Sequence, residues 1–374
     1  MALEFADKLN RIKVYPAADG YALGPEVALL ASNETPYPPL PAVERAVAEA
    51  LKGVNRYPDP ANTQLRQALS RRYDVPASRI AIGNGSCDIL LAAGEALLEP
   101  EAEIVYAWPS FSIYPHLAAA TGARALAVPV DAEHKHDLDA MRREITVATR
   151  MVIVCNPNNP TSTALPLAEI AAFVADVPDH VAVILDEAYC EFNLLDDPDA
   201  SVELLDRNPN LVLLRTFSKA YGLCGLRVGY ALCGSEAFRN AVDAVRQPFF
   251  CNVAAQAAAI AALQSQDEIA ARVERNLAER IALADGLEDL GLQAAESQAN
   301  FVWFDLPEEA DEREVVKGLA DRQILVRAGT PLGREGALRV TVGTPEDNQR
   351  FLAALGELVV APAEPRRKRR LFGS

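Results

Sequence analysis

Lys219 lies in Thr216-Phe-Ser-Lys219-Ala-Tyr-Gly-Leu-Cys-Gly-Leu-Arg227, directly behind the apolar run at 211–214. A lysine placed after a buried strand either snorkels its amine to solvent or has its pKa lowered and becomes a nucleophile. Lysine nucleophiles form Schiff bases with carbonyl compounds, pyridoxal phosphate among them. The hydroxyls of Thr216 and Ser218, the nearby glycines and Arg227 are groups that hold a phosphate, although the same loop is compatible with a structural role alone. Asp186 closes Val181-Ala-Val-Ile-Leu-Asp186-Glu-Ala-Tyr189. An acid at the carboxyl end of a buried strand either caps a helix or partners a cation. On the nitrogen of a pyridoxal ring it keeps the ring protonated and electron-withdrawing, and Tyr189 is then in reach of the phenolic oxygen.

Two further turns follow apolar strands. Asn156-Pro-Asn-Asn159-Pro160-Thr161 is rigid by composition; it is a plain turn or a frame for an amide beside a ring. Ile80-Ala-Ile-Gly83-Asn-Gly85-Ser86-Cys87-Asp88 reads as strand, glycine turn and helix start, and N–H groups at a helix start bind phosphate. The turn does not fit G-x-G-x-x-G, so the dinucleotide fingerprint is not met. Trp108, Phe111 and Tyr114 are core residues, or one of them stacks on a planar ring.

The elements that must position these residues alternate. Helical spacing of apolar residues predicts helices at 41–51, 63–73, 87–98, 111–121, 138–145 and 165–174. Short β-branched runs predict strands at 80–82, 103–106, 125–128, 151–155, 181–185 and 211–216. Such alternation means crossover connections, a mostly parallel sheet covered on both faces, and chemistry at the carboxyl ends of the strands. Beyond 237 the pattern changes: helix at 237–246, one long helical region at 252–291, strands at 301–304, 324–327 and 337–342, and helices at 313–320 and 345–359. The expected organisation is a large domain at 33–245, a small α+β domain from 1–32 and 246–360, and a disordered basic tail at 361–374.

The chain has 374 residues and a formal net charge of −16. So acidic a surface repels phosphate backbones, which disfavours nucleic acid as a partner. Six cysteines without a C-x-x-C and four histidines predict no metal site and a reduced, cytoplasmic protein. No apolar run approaches a membrane span.

The ordered set of segments resembles the histidinol-phosphate aminotransferase family, pyridoxal-phosphate enzymes of fold type I, and its close aromatic aminotransferase relatives. The resemblance runs from about Tyr15 to about residue 357. It is carried by Ala31-Ser-Asn-Glu-Thr35, Asn55-Arg-Tyr-Pro-Asp59, Gly83-Asn-Gly-Ser86, Asn156-Pro-Asn-Asn-Pro-Thr161, Asp186-Glu-Ala-Tyr189, Thr216-Phe-Ser-Lys219 with Gly225-Leu-Arg227, Ser297-Gln-Ala-Asn-Phe301 and Leu338-Arg-Val-Thr-Val-Gly-Thr-Pro-Glu346. It implies an α/β fold with a large, mostly parallel sheet domain sandwiched by helices, plus a smaller α+β domain. It implies that Lys219 carries the cofactor and shuttles the proton, and that Asp186 pairs with the pyridine nitrogen. Asn159 and Tyr189 would bond the phenolic oxygen, and Phe111 would stack on the ring. Backbone at Ser86 and Cys87, with Thr216, Ser218 and Arg227, would bind the phosphate. Tyr57 would reach the phosphate from the other subunit, so a homodimer with shared sites is implied. Arg339 would take the substrate's anionic group, with Arg327, Tyr15 and Asn33 nearby.

Three positions depart from the family pattern: Ser162 follows Thr161 where glycine is usual, Cys87 replaces an acid, and Phe111 replaces a tyrosine. The main expectation is ping-pong transamination between glutamate/2-oxoglutarate and imidazole-acetol phosphate/histidinol phosphate. The alternative is phenylalanine or tyrosine as donor, towards which Ser162 and the segment from Trp108 to Phe111 lean. The resemblance implies a phosphate cofactor and a substrate with an anionic group, so Arg227, Arg327 and Arg339 have to converge locally against the field of −16.

Overall fold

The computed structural model describes residues 3, 5, 7–12, 24 and 26–359; Tyr15 and the basic tail lie outside the described residues. The strands are β1 (Ala28–Leu29), β2 (Ile80–Gly83), β3 (Glu103–Trp108), β4 (Arg124–Pro129), β5 (Thr149–Cys155), β6 (Ala182–Asp186), β7 (Leu211–Thr216), β8 (Gly229–Cys233), β9 (Phe301–Asp305), β10 (Ile324–Leu325), β11 (Arg327–Ala328) and β12 (Ala337–Thr341). The α-helices are α1 (Pro41–Leu51), α2 (Thr63–Tyr73), α3 (Ser86–Leu97), α4 (Ile113–Thr121), α5 (Leu138–Arg143), α6 (Leu167–Asp176), α7 (Glu236–Val245), α8 (Val253–Leu263), α9 (Gln266–Asp289), α10 (Glu312–Ala320) and α11 (Pro345–Val359).

A seven-stranded sheet runs in the order β2-β8-β7-β6-β5-β3-β4. The pairs among β4, β3, β5, β6 and β7 are parallel, while β8 is antiparallel to both its neighbours. Both faces are buried, and the strands show it with period two. Leu211 and Leu213 of β7 pack on one face with α1, α2, α6 and α8, and Val212 and Leu214 on the other with α3, α4 and α7. A second, three-stranded antiparallel sheet, β11-β12-β9, and the short parallel pair β1-β10 belong to a separate core around Leu30, Leu283, Val302, Leu319 and Phe351.

Three expectations need correction. Strand β8 was not expected: opened by Gly229 and followed by Gly234 it resembles loop punctuation, and it is a strand because it pairs with β2 on one side and β7 on the other. The helical region at 252–291 is two helices. Ser265 has non-helical angles and its Oγ donates to the Ala261 carbonyl, closing α8, while Asp267 and Glu268 favour a new helix start. Phe111 precedes α4, which starts at Ile113. In the packing, Ala255, Ala258 and Ala262 of α8 share the large sheet's core rather than that of the small sheet, and so do Ala299 and Phe301, whereas Leu283, Leu287, Leu292 and Val302 share a core with Ala28 and Leu30. No helix among the described residues is long and apolar enough to cross a membrane.

Candidate active site

The parallel register sets the carboxyl ends of β5, β6 and β7 side by side, with Cys155 opposite Asp186 and Asp186 opposite Leu214. The asparagine turn, Asp186 and the lysine loop therefore leave the sheet at one level, as the strand-end rule requires. They open on a cavity of roughly 230 Å³ lined by Asn33, Ser86, Cys87, Phe111, Asn159, Asp186, Tyr189, Thr216, Ser218, Lys219, Arg227, Arg327 and Arg339. Of the residues expected to form the site, the described chain brings all of these together. Tyr57 is not on this wall: it is 81% exposed and its ring stacks on Phe249 at 4.5 Å.

Asp186 sits at the floor of the cavity. Its Oδ2 accepts from the Tyr114 hydroxyl at 2.8 Å and its Oδ1 from the Ala188 amide at 3.2 Å. Burial pushes its pKa up to about 6; the two hydrogen bonds oppose this without cancelling it. A cationic partner is what would restore the carboxylate. The Nζ of Lys219 donates to the carbonyls of Ser32 and Asn33, both at 3.1 Å. Burial first, and then the positive charge of Arg339, push its pKa down to about 8.

On the opposite wall Asn33 holds the left-handed conformation, φ 54°, which asparagine tolerates better than most residues. This turns its side chain inward: Nδ2 donates to the Tyr189 hydroxyl at 3.0 Å, and Thr341 both accepts from its backbone amide and donates to its Oδ1. The side-chain amide of Asn300 donates to the Asn33 carbonyl at 3.1 Å. Burial raises the Tyr189 phenol well above its ordinary value, so it stays a neutral hydroxyl. Arg339 donates to Asn159 Oδ1 and to the Ala31 carbonyl, each at 2.6 Å, and stands directly across the strand pair from Arg327.

The third wall is a cradle at the N-terminus of α3. Gly85 has φ 84°, and a Cβ there would stand 2.5 Å from Arg227 Nη2; a Cβ on Gly229 would stand 2.5 Å from the Ser86 amide. Arg227, itself left-handed at φ 58°, donates to the Cys224 carbonyl at 2.8 Å. The Thr216 hydroxyl donates to Ser218 Oγ and accepts from the Ser218 amide. Burial raises the Cys87 thiol to about 11, so at neutral pH it is not a thiolate. The cradle thus offers amides, hydroxyls and a guanidinium, the donor set of an anion site.

Four residues that the structure shows in this assembly carry a part that the sequence does not reveal: Ser32, Asn300 and Thr341, and Tyr114, which reads there as core or as a ring that stacks. The first three lie inside segments already singled out. Tyr114 was visible only as an aromatic three residues after Phe111, and nothing in its spacing says that its hydroxyl meets Asp186. A second cavity, of about 260 Å³, lies beside Arg72, Tyr73 and Arg215. Its buried arginine is already engaged by Glu187, Asp199, Ser201 and the Pro198 carbonyl, so it serves the fold.

Comparison with known proteins is consistent across the chain. The family described as aminotransferase class I and II matches residues 25–355. An aromatic amino acid aminotransferase of Thermobifida fusca is 46% identical over 330 residues, covering 87% of this chain and 88% of that protein. One from Streptomyces coelicolor is 44% identical over 348 residues, 92% of this chain and 94% of that protein. Among solved structures, the histidinol-phosphate aminotransferase of Sinorhizobium meliloti in complex with pyridoxal-5'-phosphate superposes with a TM-score of 0.85 at 29% identity, covering 96% of this chain and 98% of that one.

Proposed function

The chain belongs to the class I and II aminotransferases, and from that premise we propose that it moves amino groups between aromatic amino acids, phenylalanine or tyrosine, and 2-oxoglutarate. The observation that carries this reading is the 46% identity to an aromatic amino acid aminotransferase along nearly the whole of both chains. Histidinol phosphate, the main expectation from the sequence, becomes the second reading. It keeps the support of the structural likeness to a histidinol-phosphate aminotransferase, at the lower identity of 29%.

The cofactor is pyridoxal 5'-phosphate, and the residues of the cavity fit it. The cradle that a single Cβ at Gly85 or Gly229 would fill suits a phosphate, an acid stands on the floor for the ring nitrogen, and an amine of lowered pKa stands for the aldehyde. When bound, the group supplies a reactive aldehyde and an electron-withdrawing pyridinium ring. In our reading Ser86, Cys87, Thr216, Ser218 and Arg227 bind the phosphate, Asp186 holds the proton on the ring nitrogen, and Asn159 and Tyr189 face the phenolic oxygen. Phe111 covers one ring face and excludes water. Lys219 Nζ takes and returns the proton at the substrate's Cα. Arg339, with Arg327 and Asn33 beside it, orients the substrate carboxylate. Tyr57, exposed and off its own cavity, completes the site of a second subunit in a homodimer.

Gly85→Ala is expected to raise the pyridoxal phosphate dissociation constant roughly ten-fold or more, because a side chain at positive φ and in contact with Arg227 costs about 1–3 kcal/mol. Equilibrium dialysis reads this; an unchanged constant would remove the phosphate from this cradle. The substrate reading is tested by a donor panel with 2-oxoglutarate as acceptor. Phenylalanine and tyrosine are expected to give kcat/KM values at least about ten-fold above histidinol phosphate, a difference of ~1.4 kcal/mol in transition-state binding. The reverse order would return the protein to histidinol phosphate.

A further inference from the structure

We propose that Tyr114 is a positioning residue for Asp186: its hydroxyl pins one carboxylate oxygen so that the other is presented to the ring nitrogen of the cofactor. The inference rests on the proposed role of Asp186. Tyr114 is fully buried in the first turn of α4, and its hydroxyl donates to Asp186 Oδ2 at 2.8 Å. Asp186 Oδ1 has the longer contact, 3.2 Å to the Ala188 amide, and so keeps accepting capacity. The two oxygens are therefore unequal before any ligand arrives.

The phenol acts as a fixed donor. Burial and the adjacent carboxylate hold its pKa well above the ordinary value, so it keeps its proton. Its ring cannot swing away. Phe111 meets it edge-on at 5.8 Å and Tyr106 lies at 6.1 Å, both within the apolar layer beneath the sheet. Phe111 lines the cavity while Tyr114 lies behind it. One stretch of chain thus shapes both a wall of the cavity and the acid on its floor.

The other groups near Asp186 do not do this work. Burial raises the thiols of Cys155 and Cys87 and the phenol of Tyr189, which are neutral. Glu187 is committed to Arg215 at 2.8 Å. Lys219 directs its amine to the carbonyls of Ser32 and Asn33. A neutral donor bonded to the charged form favours that form, so Tyr114 works against the burial that protonates Asp186.

Tyr114→Phe keeps the ring and removes the hydroxyl. In apoprotein carrying ¹³C-labelled aspartate, with Asp186→Asn assigning the signal, the Asp186 titration is expected to move up by about one pH unit. The pyridoxal phosphate dissociation constant, by equilibrium dialysis, is expected to rise about ten-fold. Tyr106→Phe, a hydroxyl removed from the same layer, is expected to change neither, and Tyr114→His, which restores an N–H donor, to recover part of the loss. Unchanged titration and binding in Tyr114→Phe overturn the proposal. If that variant does not fold, 3-fluorotyrosine at position 114, a stronger donor of nearly the same shape, carries the test: it is expected to lower the Asp186 titration, and no shift overturns the idea. If Asp186→Asn binds the cofactor as tightly as the unaltered protein, the role of Asp186 itself fails; if it binds weakly and Tyr114→Phe does not, only the role of Tyr114 fails.

Discussion

Lys219→Ala is expected to abolish transamination, lowering kcat by on the order of 10⁴-fold or more, because in the proposed reading it removes both a nucleophile and a proton carrier. It is also expected to remove the yellow absorbance of the holoenzyme. The reason lies in the surroundings of the amine. Its pKa of about 8, against the ordinary 10.5, raises the neutral fraction at pH 7 by roughly 300-fold. An alanine leaves the carbonyls of Ser32 and Asn33 facing the cavity and supplies no amine at all. The same shift has a consequence for stability. The folded-state pKa lies below the unfolded one, so the protonated amine opposes folding of the apoprotein below about pH 8, and this opposition lifts as pH rises towards 10.5. Lys219→Met is therefore expected to raise the apoprotein's unfolding midpoint at pH 7 and not at pH 10.5. A Lys219→Ala protein turning over at near the unaltered rate would end the assignment of this lysine.

Arg339→Ala is expected to reduce kcat/KM for both the aromatic donor and 2-oxoglutarate by about 10²- to 10³-fold, mostly through KM, because losing one partner of a buried charged contact costs about 2–5 kcal/mol. Both substrates suffer in this reading because both present a carboxylate to one guanidinium. Arg339→Lys is expected to recover little. The arginine uses two separate nitrogens, one on Asn159 and one on the Ala31 carbonyl, and a single ammonium does not reproduce that fork. The pyridoxal phosphate dissociation constant is expected to stay within about three-fold, ~0.7 kcal/mol, since the phosphate cradle is on another wall. Loss of one substrate alone, measured by half-reaction kinetics, would assign Arg339 to a side chain rather than to the carboxylate common to both.

Asn159, Asp186 and Lys219 were legible as candidates because they stand at or just beyond the carboxyl ends of apolar strands, where polar side chains, prolines and glycines interrupt the pattern. Asp186 ends β6, and Asn159 and Lys219 follow β5 and β7, the strands that pair with β6 in parallel on either side. The acidity of the whole chain could not show how anionic ligands are admitted, because charge composition carries no positions. Three arginines distant in sequence line one cavity: Arg227 from the lysine loop, and Arg327 and Arg339 from facing strands of the other sheet. What hid β8 and the break at Ser265 was local ambiguity. Glycines that bound a loop also border a strand packed tightly against a neighbour, and an alanine-rich helix continues through a serine in sequence pattern though not in backbone.

By itself the sequence determined most of the element order (though neither β8 nor the break at Ser265), the apolar runs that the sheet buries on both faces and the residue types at its carboxyl edge, because these follow from the local spacing of apolar side chains. Only the tertiary structure decided which wall each residue occupies and which groups hold it. The inward turn of Asn33 against Thr341, the grip of Arg339 on Asn159 and the hydroxyl of Tyr114 under Asp186 join residues up to 308 positions apart. Periodicity extends over a few residues and cannot encode such contacts; they arise when separately specified elements are packed against one another.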